Sequence, residues 1–148
     1  MNIKRMEFPI LFLIGGFIYG ALEIIAKGDT HFSMFIVGGL CFVLIDKLNK
    51  NMPLISRMFA GAVIITALEF ISGCVVNIWL KLNVWSYSHL PLNIMGQVCL
   101  LFTVIWFFLS LPGILLGGYL EWRLFGESKP NYKIAARIRE RVKKKRAA

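Results

Sequence analysis

Charge is scarce in this chain, and acid is scarcer than base. Asp, Glu, Lys and Arg make up 17% of the 148 residues, with 8 acids against 17 bases. An ordinary soluble domain carries about 25%. Hydrophobic residues reach 57% and mean hydropathy is +0.68, so a soluble globule is excluded. Cysteine is sparse as well. Cys41, Cys74 and Cys99 all lie in apolar runs, with no CxxC and no clustering with histidine. They read as small buried hydrophobes, with no disulfide or zinc site expected. A GxxxxGK[ST] phosphate loop is missing, so the chain cannot hydrolyse ATP by itself. No nucleophile–base pair or paired-carboxylate motif is visible either. The reading is therefore non-enzymatic, with no cofactor, no metal and no catalytic residue.

What remains is an all-α, polytopic integral membrane protein of one domain. It comprises a bundle of four transmembrane helices over residues 1–125 and a basic tail helix over 126–148. The spans fall at about 8–26, 32–48, 55–80 and 93–120. The start of the chain resembles a signal peptide, but Glu23 interrupts the apolar run and no small-x-small cleavage site follows, so it reads as a retained first span. Span two is short, ending its apolar run before Asp46. Charge parity supports it. Fifteen bases fall in the N-terminal tail, the 46–57 connection and the C-terminal tail, and only Lys27 and Lys81 fall on the other side. Four crossings with both termini cytoplasmic satisfy the positive-inside rule, in a bacterial inner (plasma) membrane. The placement of the bases suits anionic lipid headgroups at the tail rather than nucleic acid. Ile134, Ile138 and Val142 give that tail a narrow apolar stripe.

Polar residues inside the spans carry the functional reading. In span three Ala62, Thr66, Glu69, Gly73 and Asn77 recur at steps of three or four, a stripe of small and polar groups on one helix face. Such a stripe must pack on protein or line a cavity. Glu69 centres it. A carboxylate at membrane depth is costly, so it serves either ion or proton exchange or packing through hydrogen bonds. Asn93 and Gln97 would sit one turn apart on span four, opposite Glu69, and could bind it, as could Thr66. Glu23 lies near the outer end of span one, either at a cavity mouth or paired with Lys27 four residues on. Gly16 and Gly20 form a GxxxG pair read as close packing within one chain. Pro112 is expected to kink span four. Trp85 and Tyr87 read as interfacial anchors or as the lip of a binding mouth. His31, with Asp29 and His89, falls at the outer boundary, without ligand spacing.

The block Thr66-x-x-Glu69-Phe70-x-x-Gly73-x-x-x-Asn77, followed by Trp85-x-Tyr87-Ser88-x-x-Pro91-x-Asn93-x-x-Gly96-Gln97-x-Cys99-Leu100, resembles the CmpB-like ABC-transporter type IV permease family. Thr30-His31-x-Ser33-Met34-Phe35 and Gly38-Gly39-x-Cys41-Phe42 are similar too. The resemblance covers roughly residues 15 to 110. One position departs: Ser86 stands where the family pattern has Asp. The resemblance implies a permease subunit served by a separate ATPase, yet the 46–57 connection is too short for a coupling helix. The expected function is a transporter-like or permease-like membrane component with a polar site of Glu69, Glu23, Asn77, Asn93, Gln97, Trp85, Tyr87 and His31. So small a bundle calls for a homo-oligomer or a partner membrane subunit. The alternative is an interaction or scaffold protein, its polar stripe acting as packing glue and its basic tail binding lipid or a partner.

Overall fold

The computed structural model describes residues 6–132. Of the expected basic tail helix, residues 126–132 are not helical, and the remainder lies outside the described residues. Four helices account for most of the rest. Helix α1 spans Glu7–Lys27 and opens with an acid in its first turn and Pro9, whose missing N–H costs nothing there. It ends at Gly28, whose φ of +86° suits a residue without Cβ. Helix α2, Phe32–Asp46, starts where the His31 Nδ1 accepts the Ser33 N–H at 3.2 Å. Helix α3, Leu54–Gly73, follows Pro53 and runs on as a π-helical segment, Cys74–Trp79. Helix α4 is Leu100–Leu124 and continues through Pro112.

Three of these stretches, Glu7–Lys27, Leu54–Trp79 and Leu100–Leu124, are long and apolar enough to cross a membrane. Helix α2 has 15 residues. At 1.5 Å per residue it is about 22 Å long, short of a hydrocarbon core of about 30 Å.

One boundary differs clearly from the sequence reading. The fourth span was expected to start at Asn93, but α4 starts at Leu100. The intervening chain forms two antiparallel two-residue strands, β1 (Asn93–Ile94) and β2 (Val98–Cys99), so the fold is not purely helical. Leu92, Met95 and Gly96 all take positive φ there. A helix cannot pass through that geometry.

The helices alternate in direction. Glu7 at the start of α1 contacts Lys47 just after α2, and Lys50 reaches Glu121 near the end of α4. These contacts gather at one end of the bundle, here called the basic end. The opposite, loop end carries the Lys81–Cys99 connection.

Helices α1 and α2 meet across glycine. A Cβ at Gly15 would strike the Phe42 Cβ and lie 2.8 Å from the Gly38 carbonyl oxygen; one at Gly38 would strike the Tyr19 Cβ. Only hydrogen fits between backbones this close. The contact uses Gly15, Gly16, Gly38 and Gly39 rather than the expected Gly16–Gly20 pair. A Cβ at Gly20 would find nothing nearer than 3.9 Å. The packing does lie within one chain. The core behind it is Val37, Cys41, Ile45, Met58, Ala62, Ile65, Trp106 and Ile114. Opposite faces, such as Val63 and Ile71 on α3 and Val75 on its π-helical extension, are exposed as lipid-facing residues must be.

Candidate functional site

The polar stripe of α3 faces inward, as its spacing predicts. Ala62, Glu69, Gly73 and Asn77 are buried. Glu69 is 1% exposed. Its partners are not the ones expected from sequence. The Tyr19 hydroxyl of α1 donates to Oε1 at 3.0 Å, and the Trp106 indole N–H of α4 donates to Oε2 at 2.7 Å. Each carboxylate oxygen thus has its own neutral donor, from helices on either side. Tyr19 and Trp106 stack on one another at 5.7 Å between centroids, which holds both rings in place. Thr66 pairs instead with Thr103 of α4 at 3.1 Å.

Asn77, Asn93 and Gln97 build the loop end. Because residues 93–99 form the hairpin, Asn93 and Gln97 do not share a helix face. Gln97 Oε1 accepts from the Asn77 side chain at 2.9 Å, and Asn77 Oδ1 accepts the Val84 N–H at 2.7 Å. The Trp85 indole donates to the Gln97 carbonyl at 3.0 Å. Asn93 holds the turn, accepting the Gly96 N–H at 3.0 Å and donating to the Leu90 carbonyl at 2.7 Å. Ser86 accepts the Ser88 N–H at 3.3 Å, a turn bond that an aspartate side chain also makes. Tyr87 stacks on Phe102 at 4.5 Å.

Glu23 sits at the turn between α1 and α2, bonded to Thr30 at 2.7 Å and paired with Lys27 at 3.0 Å. His31 is occupied as the helix cap and hydrogen-bonds the Ser33 hydroxyl at 2.8 Å, away from Glu69.

A cleft of about 420 Å³ connects these levels. It is lined by Glu23 and Lys27 at the turn, by Trp85 and Tyr87 from the loop, and by Tyr19 and Trp106 at its depth. The two donors that hold Glu69 therefore form part of the cleft wall. An apolar groove of about 270 Å³ adjoins it, sharing Tyr19, Leu22, Trp106 and Leu109.

Sequence reasoning missed Tyr19 and Trp106, because an aromatic residue in an apolar span reads as lipid-facing or core. It also missed a carboxylate group at the basic end. Glu7, Asp46 and Glu121 place one oxygen each within 4.8 Å of one another. Lys47 bonds Glu7 at 2.6 Å, and Lys50 bonds Glu121. Tyr132 lies beside them, its hydroxyl 3.5 Å from the Ile114 carbonyl, and burial pushes its phenol above the ordinary 10.0. The available signal was the position of these three acids, each at a helix end on the side where bases predominate.

No solved structure matches this chain. The family model described as "Putative ABC-transporter type IV" matches residues 12–122, which includes Glu69, the loop end and all but the first five residues of α1, and the chain belongs to that family.

Proposed function

We propose that this protein is a transporter-like, permease-like membrane component whose working group is Glu69. The observation that carries the reading is the wall shared by Glu69 and the cleft. Tyr19 and Trp106 donate to the carboxylate and also line a cavity that reaches Glu23 and Lys27. A rotation of either ring would open Glu69 to that cavity, so the acid would exchange a proton or cation from one side. Ionisable groups at this depth characteristically mark such pathways. The chain crosses the bacterial inner membrane four times, α2 included, with both termini cytoplasmic and the basic tail on anionic lipid. The common end shared by the starts of α1 and α3 and the ends of α2 and α4 supports that topology. It works as a homo-oligomer or beside a partner membrane subunit, and family membership points to a separate ATPase as a further partner. No enzymatic role is assigned.

The test reconstitutes the full chain in liposomes loaded with a pH dye and applies a potassium diffusion potential. Glu69-dependent proton flux is expected, lost in Glu69→Gln with insertion and cross-linked assembly unchanged. A second reading draws on the complete pairing of Glu69: the stripe is packing glue in an interaction protein. It predicts the reverse, with assembly lost in Glu69→Gln and no flux in either protein.

A further inference from the structure

The basic end holds a second polar group that the Glu69 reading does not use. Glu7, Asp46 and Glu121 come from the start of α1, the last residue of α2 and the final turn of α4. Their three oxygens lie within 4.8 Å of one another. Oxygens that ligate one hard cation at about 2.1–2.5 Å stand at most about 5 Å apart across it. Charged groups facing Asp46 are Glu7, Glu121, Lys47 and Lys50. Arg57 is buried and lines the same pocket as Lys50 and Glu121, so the acids meet a third base nearby.

A second observation points to a ligand. Asp46 is 3% exposed, and its Oδ2 is buried with no hydrogen-bond partner among the described residues. A buried, unpartnered carboxylate oxygen is rare, because desolvation without compensation is unfavourable. Gly117 of α4 makes room for the same side chain, since a Cβ there would lie 2.7 Å from Asp46 Oδ1. The lysines do not block the place. Their side chains are 56% and 54% exposed, so each can swing off its partner into water.

We infer that Glu7, Asp46 and Glu121 form a binding site for a hard divalent cation that ties the ends of α1, α2 and α4 together. The carboxylates supply three ligands and water completes the shell, the pattern by which magnesium-like ions bind through few protein groups. Lys47 and Lys50 hold the carboxylates when no ion is bound and are displaced when one enters. The site is independent of the Glu69 reading, since neither flux nor family membership enters the argument.

The experiment titrates Mn²⁺ into the detergent-solubilised full chain, reading loss of the free-ion paramagnetic resonance signal and the melting temperature in parallel. One ion per chain is expected, displaced by Mg²⁺ or Ca²⁺, with a melting temperature that rises with Mn²⁺. Asp46→Asn and Gly117→Ala should each weaken binding by about tenfold or more, since even outer contacts of a metal site are worth 10–100-fold. Lys50→Met should strengthen it. If Asp46→Asn does not yield folded protein, Glu7→Gln is read by the same criterion. A wild-type chain that leaves the Mn²⁺ signal free at about 1 mM overturns the site, as does binding that these variants leave unchanged.

Discussion

Glu69 and Asp46 are both carboxylates buried to 3% exposure or less, yet the protein treats them in opposite ways. Glu69 is met by two neutral donors on stacked aromatic rings, one for each oxygen. Asp46 is met by two further acids and by lysines bonded to those acids, and one of its oxygens has no partner among the described residues. Rigid neutral donors satisfy the carboxylate fully at rest, so that nothing reaches it unless a ring turns aside. Crowded acids with flexible counter-charges do the reverse, because the lysines can leave and an ion can replace them. The middle of the bundle is thus closed by design of its side chains, and the basic end is left to be completed from solution.

The largest effect should come from breaking the closed region. Trp106→Phe removes one donor from Glu69 and should cost up to about 3 kcal/mol, the penalty for a buried oxygen left without its partner. Reversible unfolding of the detergent-solubilised chain measures it. A loss under about 0.5 kcal/mol would mean that Glu69 needs no such partner. Next comes the clamp behind Tyr19. Gly38→Ala would push a methyl group against the Tyr19 Cβ and should cost about 1–3 kcal/mol, the range for overpacking. Gly20→Ala is its control, with open space at the added carbon and an expected change within about 0.5 kcal/mol. Equal effects at the two glycines would remove the assigned α1–α2 contact. The smallest effect belongs to the open region. Without divalent ion, Asp46→Asn should be neutral or stabilise by about 1 kcal/mol, since it removes one of three like charges. A loss matching that of Trp106→Phe would erase the contrast between the two acids.

Much of this was legible beforehand, and the reasons are specific. The α3 stripe was readable because Thr66, Glu69, Gly73 and Asn77 recur at helical spacing, which assigns them one face whatever packs there. The pairing of Glu23 with Lys27 was readable because residues four apart on a helix are neighbours. Asn93 and Gln97 were misplaced for the same reason: their spacing of four satisfies a helix, and the positive φ values at Leu92, Met95 and Gly96 are written only weakly in residue type. The glycine contact went to Gly16–Gly20 because the GxxxG pattern is a property of one helix. The choice of Gly15 and Gly16 depends on where Gly38 and Gly39 of a second helix fall.

Composition and periodicity alone determined that this chain is a membrane-type helical protein and that Glu69 turns inward, since burial faces follow from local spacing and from the cost of exposing charge to hydrocarbon. Which groups meet that acid was decided only by the tertiary structure. Tyr19 and Trp106 are 50 and 37 residues from Glu69 along the chain, and Glu7, Asp46 and Glu121 are further apart still at their extremes. Contacts between helices depend on their axial offset and rotation, which close glycine packing sets and no spacing within a single helix encodes.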